Sequence, residues 1–254
     1  MESQSQLSMQ ILEGVIPTST AIAVNELSLG SLFASANKNF EMALKFKFGL
    51  SSLIPRTPID LMKLRDLKIR RTVEIGHLFL NRDLAIEGAE LIKKQSDLIP
   101  KKILPYYIYI SALSLFFQNE SQLGVTILNG QWELNPTDRK SISWESEMLT
   151  ILFYIKLGDF NFADSLIERR RKKSNGPYQS LALRMIKKIY RNDGHVEQTH
   201  LDEFHDLKRN IEPEIVGKVA RLFNMDLILK SMTTGLTPND LYAPESAKSV
   251  SLAV

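Results

Sequence analysis

The 254-residue sequence predicts an all-α chain with no sheet. Three observations carry that prediction. Apolar residues recur at helical spacing in segment after segment. Turn-forming residues interrupt them near Asn37, Asn81, Asn119, Gly158 and Asn192, at spacings of 44, 38, 39 and 34 residues. No strand signal of comparable strength competes. A helix pair repeated at such a period marks an α-solenoid. The expectation is about five antiparallel hairpins, about ten helices in all, stacked into a right-handed array.

The clearest unit runs from Asn135 to Lys173. Its first helix is expected from about Ser141 to Leu157. Trp144, Met148, Ile151, Leu152 and Ile155 hold the period, and Leu149, Phe153 and Tyr154 widen the stripe. A helix so apolar must be covered on more than one side. Gly158-Asp159 suits a helix stop followed by an N-cap. The second helix puts Phe162, Ala163, Leu166 and Ile167 on one face. Trp144, Met148, Leu152, Ile155, Phe162, Ala163 and Leu166 are therefore the predicted core of this hairpin.

The remaining elements follow in order. Residues 1–17 are polar, then weakly apolar, and read as a poorly ordered or capping segment. Ala21 to Ala34 and Phe40 to Leu53 are two helices, the second with Phe40, Ala43, Leu44 and Lys47-Phe48 in period. Thr57-Pro58-Ile59-Asp60 is a helix start, with Thr as N-cap and Pro at the first helical position. That helix should reach about Leu80, with a partner from Leu84 to Leu98 in which Gly88 and Ala89 permit close approach. Leu104 to Phe117 and Leu123 to Leu134 form the next pair, closed by Asn135-Pro136. After the central hairpin, Pro177 begins a helix through Tyr190, Val196 to Arg209 follows, and Pro213 starts a last helix to about Met232. The expected organisation is thus a segment 1–17, a helical-hairpin domain 18–232 and a mobile tail 233–254.

Composition narrows the function classes. Apolar residues make up 44% and charged residues 24%, enough for a sizeable core. The chain has no cysteine, which excludes disulfides and thiolate metal sites and fits a reducing cytoplasm. The first ten residues carry no basic n-region, so no signal peptide is expected. The longest apolar stretch, Ile103 to Phe117, contains Pro105 and is too short to span a bilayer.

Phe40-Glu41-Met42-Ala43-Leu44, Leu157-Gly158-Asp159-Phe160-Asn161-Phe162-Ala163 and Asn135-Pro136 resemble tetratricopeptide repeats. In those repeats a small residue opens the turn, an aromatic begins the second helix, an Ala sits at the tight crossing and a Pro ends the unit. The resemblance spans about residues 20 to 210. The repeats' typical Trp and the Leu-Gly-x-x-Tyr of their first helix are missing from most units. The resemblance implies a concave surface that binds protein segments and has no built-in chemistry.

Chemical motifs are sparse. No GxxxxGK[ST], GxGxxG, HExxH or GxSxG occurs. His195, His200 and His205 are spaced by five, which turns successive residues roughly 140° around a helix, so they cannot share a face. His200 with Glu203, or Asp202 with His205, has the spacing of a metal edge, but a tetrahedral site needs ligands from elsewhere, and solvated helix residues explain them better. His77 reads as a packed histidine. Glu145 with Glu147 reads as an exposed helix face. The expectation is a non-catalytic protein with no cofactor and no metal site.

Charge is more informative. The whole chain carries only +3, but between Asp164 and Arg191 nine Lys/Arg face two acids, leaving +7. Arg169, Arg170, Arg171, Lys172 and Lys173 end one helix, where cations complement the carbonyl end of its dipole. Arg184, Lys187, Lys188 and Arg191 form one stripe on the next, opposite Ala182, Met185, Ile186, Ile189 and Tyr190. A second basic stretch, Lys63, Arg65, Lys68, Arg70 and Arg71, lies earlier. These nine residues of the 164–191 hairpin are the candidate partner- or anion-binding site. A solvated, solubilising face accounts for the same charges.

Two functions fit. One is a cytoplasmic interaction scaffold that holds a partner protein segment on its repeat surfaces and offers a basic patch to acidic partners. The other is a nucleic-acid-associated helical protein that uses the basic hairpin. Assembly of copies through exposed helix faces is compatible with either.

Overall fold

The structure is a computed structural model describing residues 2–13, 20–36, 39–130, 143–173, 175–220, 223–236 and 241. Among them every regular element is helical, and no strand occurs. Thirteen α-helices appear: α1 (Glu2–Leu12), α2 (Thr20–Ala36), α3 (Phe40–Ser52), α4 (Pro58–Leu78), α5 (Arg82–Gln95), α6 (Leu104–Phe117), α7 (Ser121–Gly130), α8 (Ser143–Lys156), α9 (Phe160–Arg171), α10 (Pro177–Arg191), α11 (Gln198–Lys208), α12 (Pro213–Ala220) and α13 (Met225–Thr234). A single 3-10 turn, Ser96–Leu98, extends α5. The expected Asn37-Lys38 and Asn135-Pro136 turns lie outside the described residues. So does the tail beyond Leu236, apart from Leu241.

The chain divides into two compact units, which among the described residues meet in sequence between Leu115 and Phe116. In the first, α2 pairs with α3 and α4 with α5, α1 lies on α2, and both α2 and α3 rest on α4. The core joins Val24, Leu27, Phe46, Leu50, Leu64, Ile75 and Leu84, with Met9 and Leu12 of α1 packed against it. Local chemistry sets the helix starts. The side chains of Asn39, Thr57 and Asn81 accept hydrogen bonds from the amides of Met42, Asp60 and Leu84. Close crossing of α4 and α5 rests on two glycines. A methyl group at Gly76 would lie 3.0 Å from backbone atoms of Leu84 and Ala85, and one at Gly88 3.0 Å from Val73.

Two details of the first unit depart from the sequence pattern. The apolar stripe of α3 continues through Lys47, which is buried, with its ammonium held by both carboxylate oxygens of Glu87 at 3.0 and 2.7 Å. Phe48, the apolar partner in that pair of positions, is 62% exposed instead. The basic stretch of α4 is also no continuous stripe. Arg71 is buried, donates to the Ser28 hydroxyl at 3.1 and 2.9 Å and pairs with Glu74, while Arg70 pairs with Asp66.

In the second unit α8 is the central helix. It packs against α7, α9 and α10, and Trp144, Met148, Leu149, Ile151, Leu152, Phe153 and Ile155 are all buried. A methyl group on Gly124 of α7 would lie 2.2 Å from the Phe153 ring, so α7 and α8 meet where only a glycine fits. Gly158, at φ +74°, ends α8, and the Asp159 carboxylate caps α9 by accepting from the Phe162 amide at 3.2 Å. Of the predicted hairpin core, Phe162 is the exception. It is 45% exposed, with its ring against Tyr154 at 4.4 Å, while Ala163, Leu166 and Ile167 face inward. The helix expected from Pro213 to Met232 is two helices. Phe223, between them, is buried edge-on against Trp144 at 5.1 Å. The buried Tyr178 hydroxyl donates to the Phe223 carbonyl at 3.1 Å and accepts from the Met225 amide at 3.2 Å. Asn224 then caps α13. A tertiary anchor and a local cap together interrupt what periodicity reads as one helix.

Candidate functional site

The nine cations of α9 and α10 are placed by two helices of the second unit that pack on each other. In α10 the apolar face, Leu181, Ala182, Met185, Ile186 and Ile189, is buried, which turns Arg184 and Arg191 to solvent and leaves Lys187 and Lys188 half-buried. The cations are not a bare field of like charge. Three glutamates, on α8, α9 and α11, hold six of them.

Glu147 of α8 receives Arg170 at 3.2 Å and, on its other oxygen, Lys173. Arg170 is buried and also donates to the Asn175 side chain at 3.0 Å, so it is a structural strut and not part of a surface. Breaking its pair would leave a lone buried charge, the costly case for ionic groups. Glu168 of α9 accepts from Arg171 at 3.0 Å and lies 3.6 Å from Lys187. Glu203 of α11 binds Arg184 at 3.1 Å and also Lys188. The hydrogen bond from Arg171 is the main reason the Glu168 carboxyl is held below its ordinary range, and the bond from Lys188 does the same for Glu203. The glutamates thereby lace α8, α9, α10 and α11 together. Lys172 and Arg191 are exposed and have no carboxylate partner among the described residues, and Arg169 is exposed beside them. Six of the nine cations share three carboxylates, so positive charge is in excess among them.

The histidine spacings do not assemble a metal edge. His205 pairs with Asp226 at 2.8 Å, Glu203 is taken by the α10 cations, and the His200 ring accepts from the Glu197 amide at 3.0 Å. Among the described residues no group of three metal-binding side chains converges.

A second feature of this unit has no counterpart in the sequence reading. A cleft of about 290 Å³ opens between the ends of several helices, with Lys156, Asn119, Asp193, His195 and Met232 in its walls. The Lys156 ammonium donates to the Phe116 carbonyl at 3.0 Å and to the Asn119 side chain at 2.8 Å, and sits 4.1 Å from the centre of the Phe116 ring. Burial lowers its pKa to about 8. It satisfies an orphan carbonyl at the end of α6, where a cation complements the helix dipole. Its trace in sequence is a lysine that follows the apolar run Ile151–Ile155.

No family model matches the chain, and neither does any curated protein or solved structure compared with it. Among the described residues no helix is long and apolar enough to cross a membrane.

Proposed function

We propose that the chain is a non-catalytic interaction scaffold of the cytoplasm. Its hairpins are read as about five tetratricopeptide-like units of an α-solenoid whose repeat surfaces hold a partner protein segment. The basic face of α9 and α10 makes the electrostatic contact with an acidic stretch of that partner. The observation that carries this reading is the excess charge. Even after Glu147, Glu168 and Glu203 take their partners, Lys172 and Arg191 stand exposed with no carboxylate partner among the described residues, at or beyond the ends of helices whose apolar faces are already buried. Solubility alone gives no reason to gather an excess of positive charge on one pair of helices.

The test uses two labelled probes, an oligoglutamate peptide and a single-stranded oligonucleotide, titrated with the parent and with Lys172→Glu/Arg191→Glu. Both residues are exposed, so the variant should fold as the parent does. The peptide should bind the parent at low salt and the variant about tenfold more weakly, a difference that fades as salt screens exposed charges. Preference for the oligonucleotide, with a steep log–log salt slope, would favour the nucleic-acid reading instead. Equal peptide affinity for parent and variant at low salt would leave the face a solvated exterior.

A further inference from the structure

The four most exposed large apolar side chains among the described residues fall within one short stretch of the first unit: Phe48 at 62%, Ile54 at 81%, Ile59 at 64% and Met62 at 61%. They belong to the last turns of α3, the connection 53–57 and the first two turns of α4. That connection is stiff. Pro55 and Pro58 fix their own backbone angles and restrict the residues before them, and Leu53 is extended. An exposed isoleucine on so constrained a backbone is held in position at little further entropic cost.

The charged residues between Leu53 and Arg65 are mostly basic. Arg56, Lys63 and Arg65 are exposed and have no carboxylate partner among the described residues. The one acid between Leu53 and Arg65 is Asp60, which lies in the first turn of α4, where the helix dipole favours it. The amide end of α4 adds its own partial positive charge to the same corner. These cations differ from those of α9 and α10, which neighbouring glutamates largely hold.

We propose that this corner docks on an anionic lipid surface, with Ile54, Ile59, Met62 and Phe48 entering the headgroup boundary and Arg56, Lys63 and Arg65 meeting lipid phosphates and carboxylates. Exposed apolar side chains rimmed by cations are the combination that binds such a surface, because apolar burial and electrostatic attraction add. A second copy of the chain fits less well. A two-fold contact would set the corner against itself and bring Arg56, Lys63 and Arg65 onto their own duplicates. The attachment is peripheral and needs no spanning helix.

Cosedimentation with vesicles tests this, using phosphatidylcholine alone and phosphatidylcholine mixed with phosphatidylserine. The parent should sediment with the mixed vesicles and not with phosphatidylcholine alone. Ile54→Glu/Met62→Glu, at two exposed positions, should lower binding to the mixed vesicles by about tenfold or more even at low salt, as the loss of two inserted side chains requires. Arg56→Ala/Lys63→Ala/Arg65→Ala should weaken binding at low salt, with little difference left at high salt. Circular dichroism checks that both variants keep the parent's helicity. Failure of the parent to bind mixed vesicles would overturn the proposal. So would unchanged binding by the glutamate variant, or a concentration-dependent dimer of the parent that this variant abolishes while vesicles remain unbound.

Discussion

Leu152→Ala is expected to destabilise the second unit by ~2–5 kcal/mol, the range for removing a buried leucine from a site that cannot collapse. Leu152 has no solvent exposure, and it lies on the helix that α7, α9 and α10 all cover. Covered from three sides, the cavity left by three missing carbons cannot be closed by moving one neighbour. Equilibrium denaturation followed by circular dichroism measures the change. The midpoint should fall while the slope of the transition stays close to that of the parent. Leu157→Ala, at an exposed position just past the end of that helix, supplies the control and should change stability by less than about 0.5 kcal/mol, as surface substitutions do. A Leu152→Ala effect as small as the control would mean that α8 is not central.

Acidification should destabilise the first unit through His77. Its Nδ1 lies 3.0 Å from the Ser114 hydroxyl oxygen, and that hydroxyl spends its hydrogen on the Ile110 carbonyl at 3.0 Å. The serine oxygen is therefore the acceptor and Nδ1 carries the proton, which leaves Nε2 to be protonated. Burial opposes that charge and lowers the His77 pKa from 6.5 to about 4. The folded value lies below the unfolded one, so the unfolded chain binds the proton first as pH falls. The contribution is fully present above pH 6.5 and is lost between 6.5 and about 4, where it totals about 3 kcal/mol at 1.36 kcal/mol for each pH unit of difference. Between pH 7 and 5.5, above the carboxylate range, the parent should lose about 1 kcal/mol. His77→Gln removes the titrating group and should show little of that slope. An equal slope in parent and variant would place the acid sensitivity elsewhere.

What was legible in the sequence was local chemistry. Thr57-Pro58 and Gly158-Asp159 announce helix boundaries because the cap, the proline and the left-handed glycine act within four residues of one another. The apolar breadth of α8 correctly implied cover on several sides. What stayed hidden depends on partners far along the chain. Nothing in the sequence from Pro213 to Met232 signals a break as strong as the one that Tyr178 and Trp144 make by holding Phe223.

 Lys47 and Phe48 are told apart only by Glu87, forty positions away from the lysine. Arg170 reads as one of five surface cations until Glu147 takes it into the interior. Counting charges along a helix gives their sign and spacing, and says nothing of the carboxylates that other helices bring to them.

The central claim is that the α9–α10 face keeps enough uncompensated charge to bind an acidic segment. Its most direct test is the dissociation constant of the oligoglutamate peptide for the parent and for Glu203→Gln, measured at low and at physiological salt. Glu203 holds Arg184 and Lys188 and so competes with any acidic ligand for them. If the face binds such ligands, Glu203→Gln frees two cations, and the peptide should bind the variant several-fold more tightly at low salt, with the gain shrinking as salt rises. Equal affinities for parent and variant, or no binding by either, would contradict the claim and leave the three glutamates as struts of a solvated exterior.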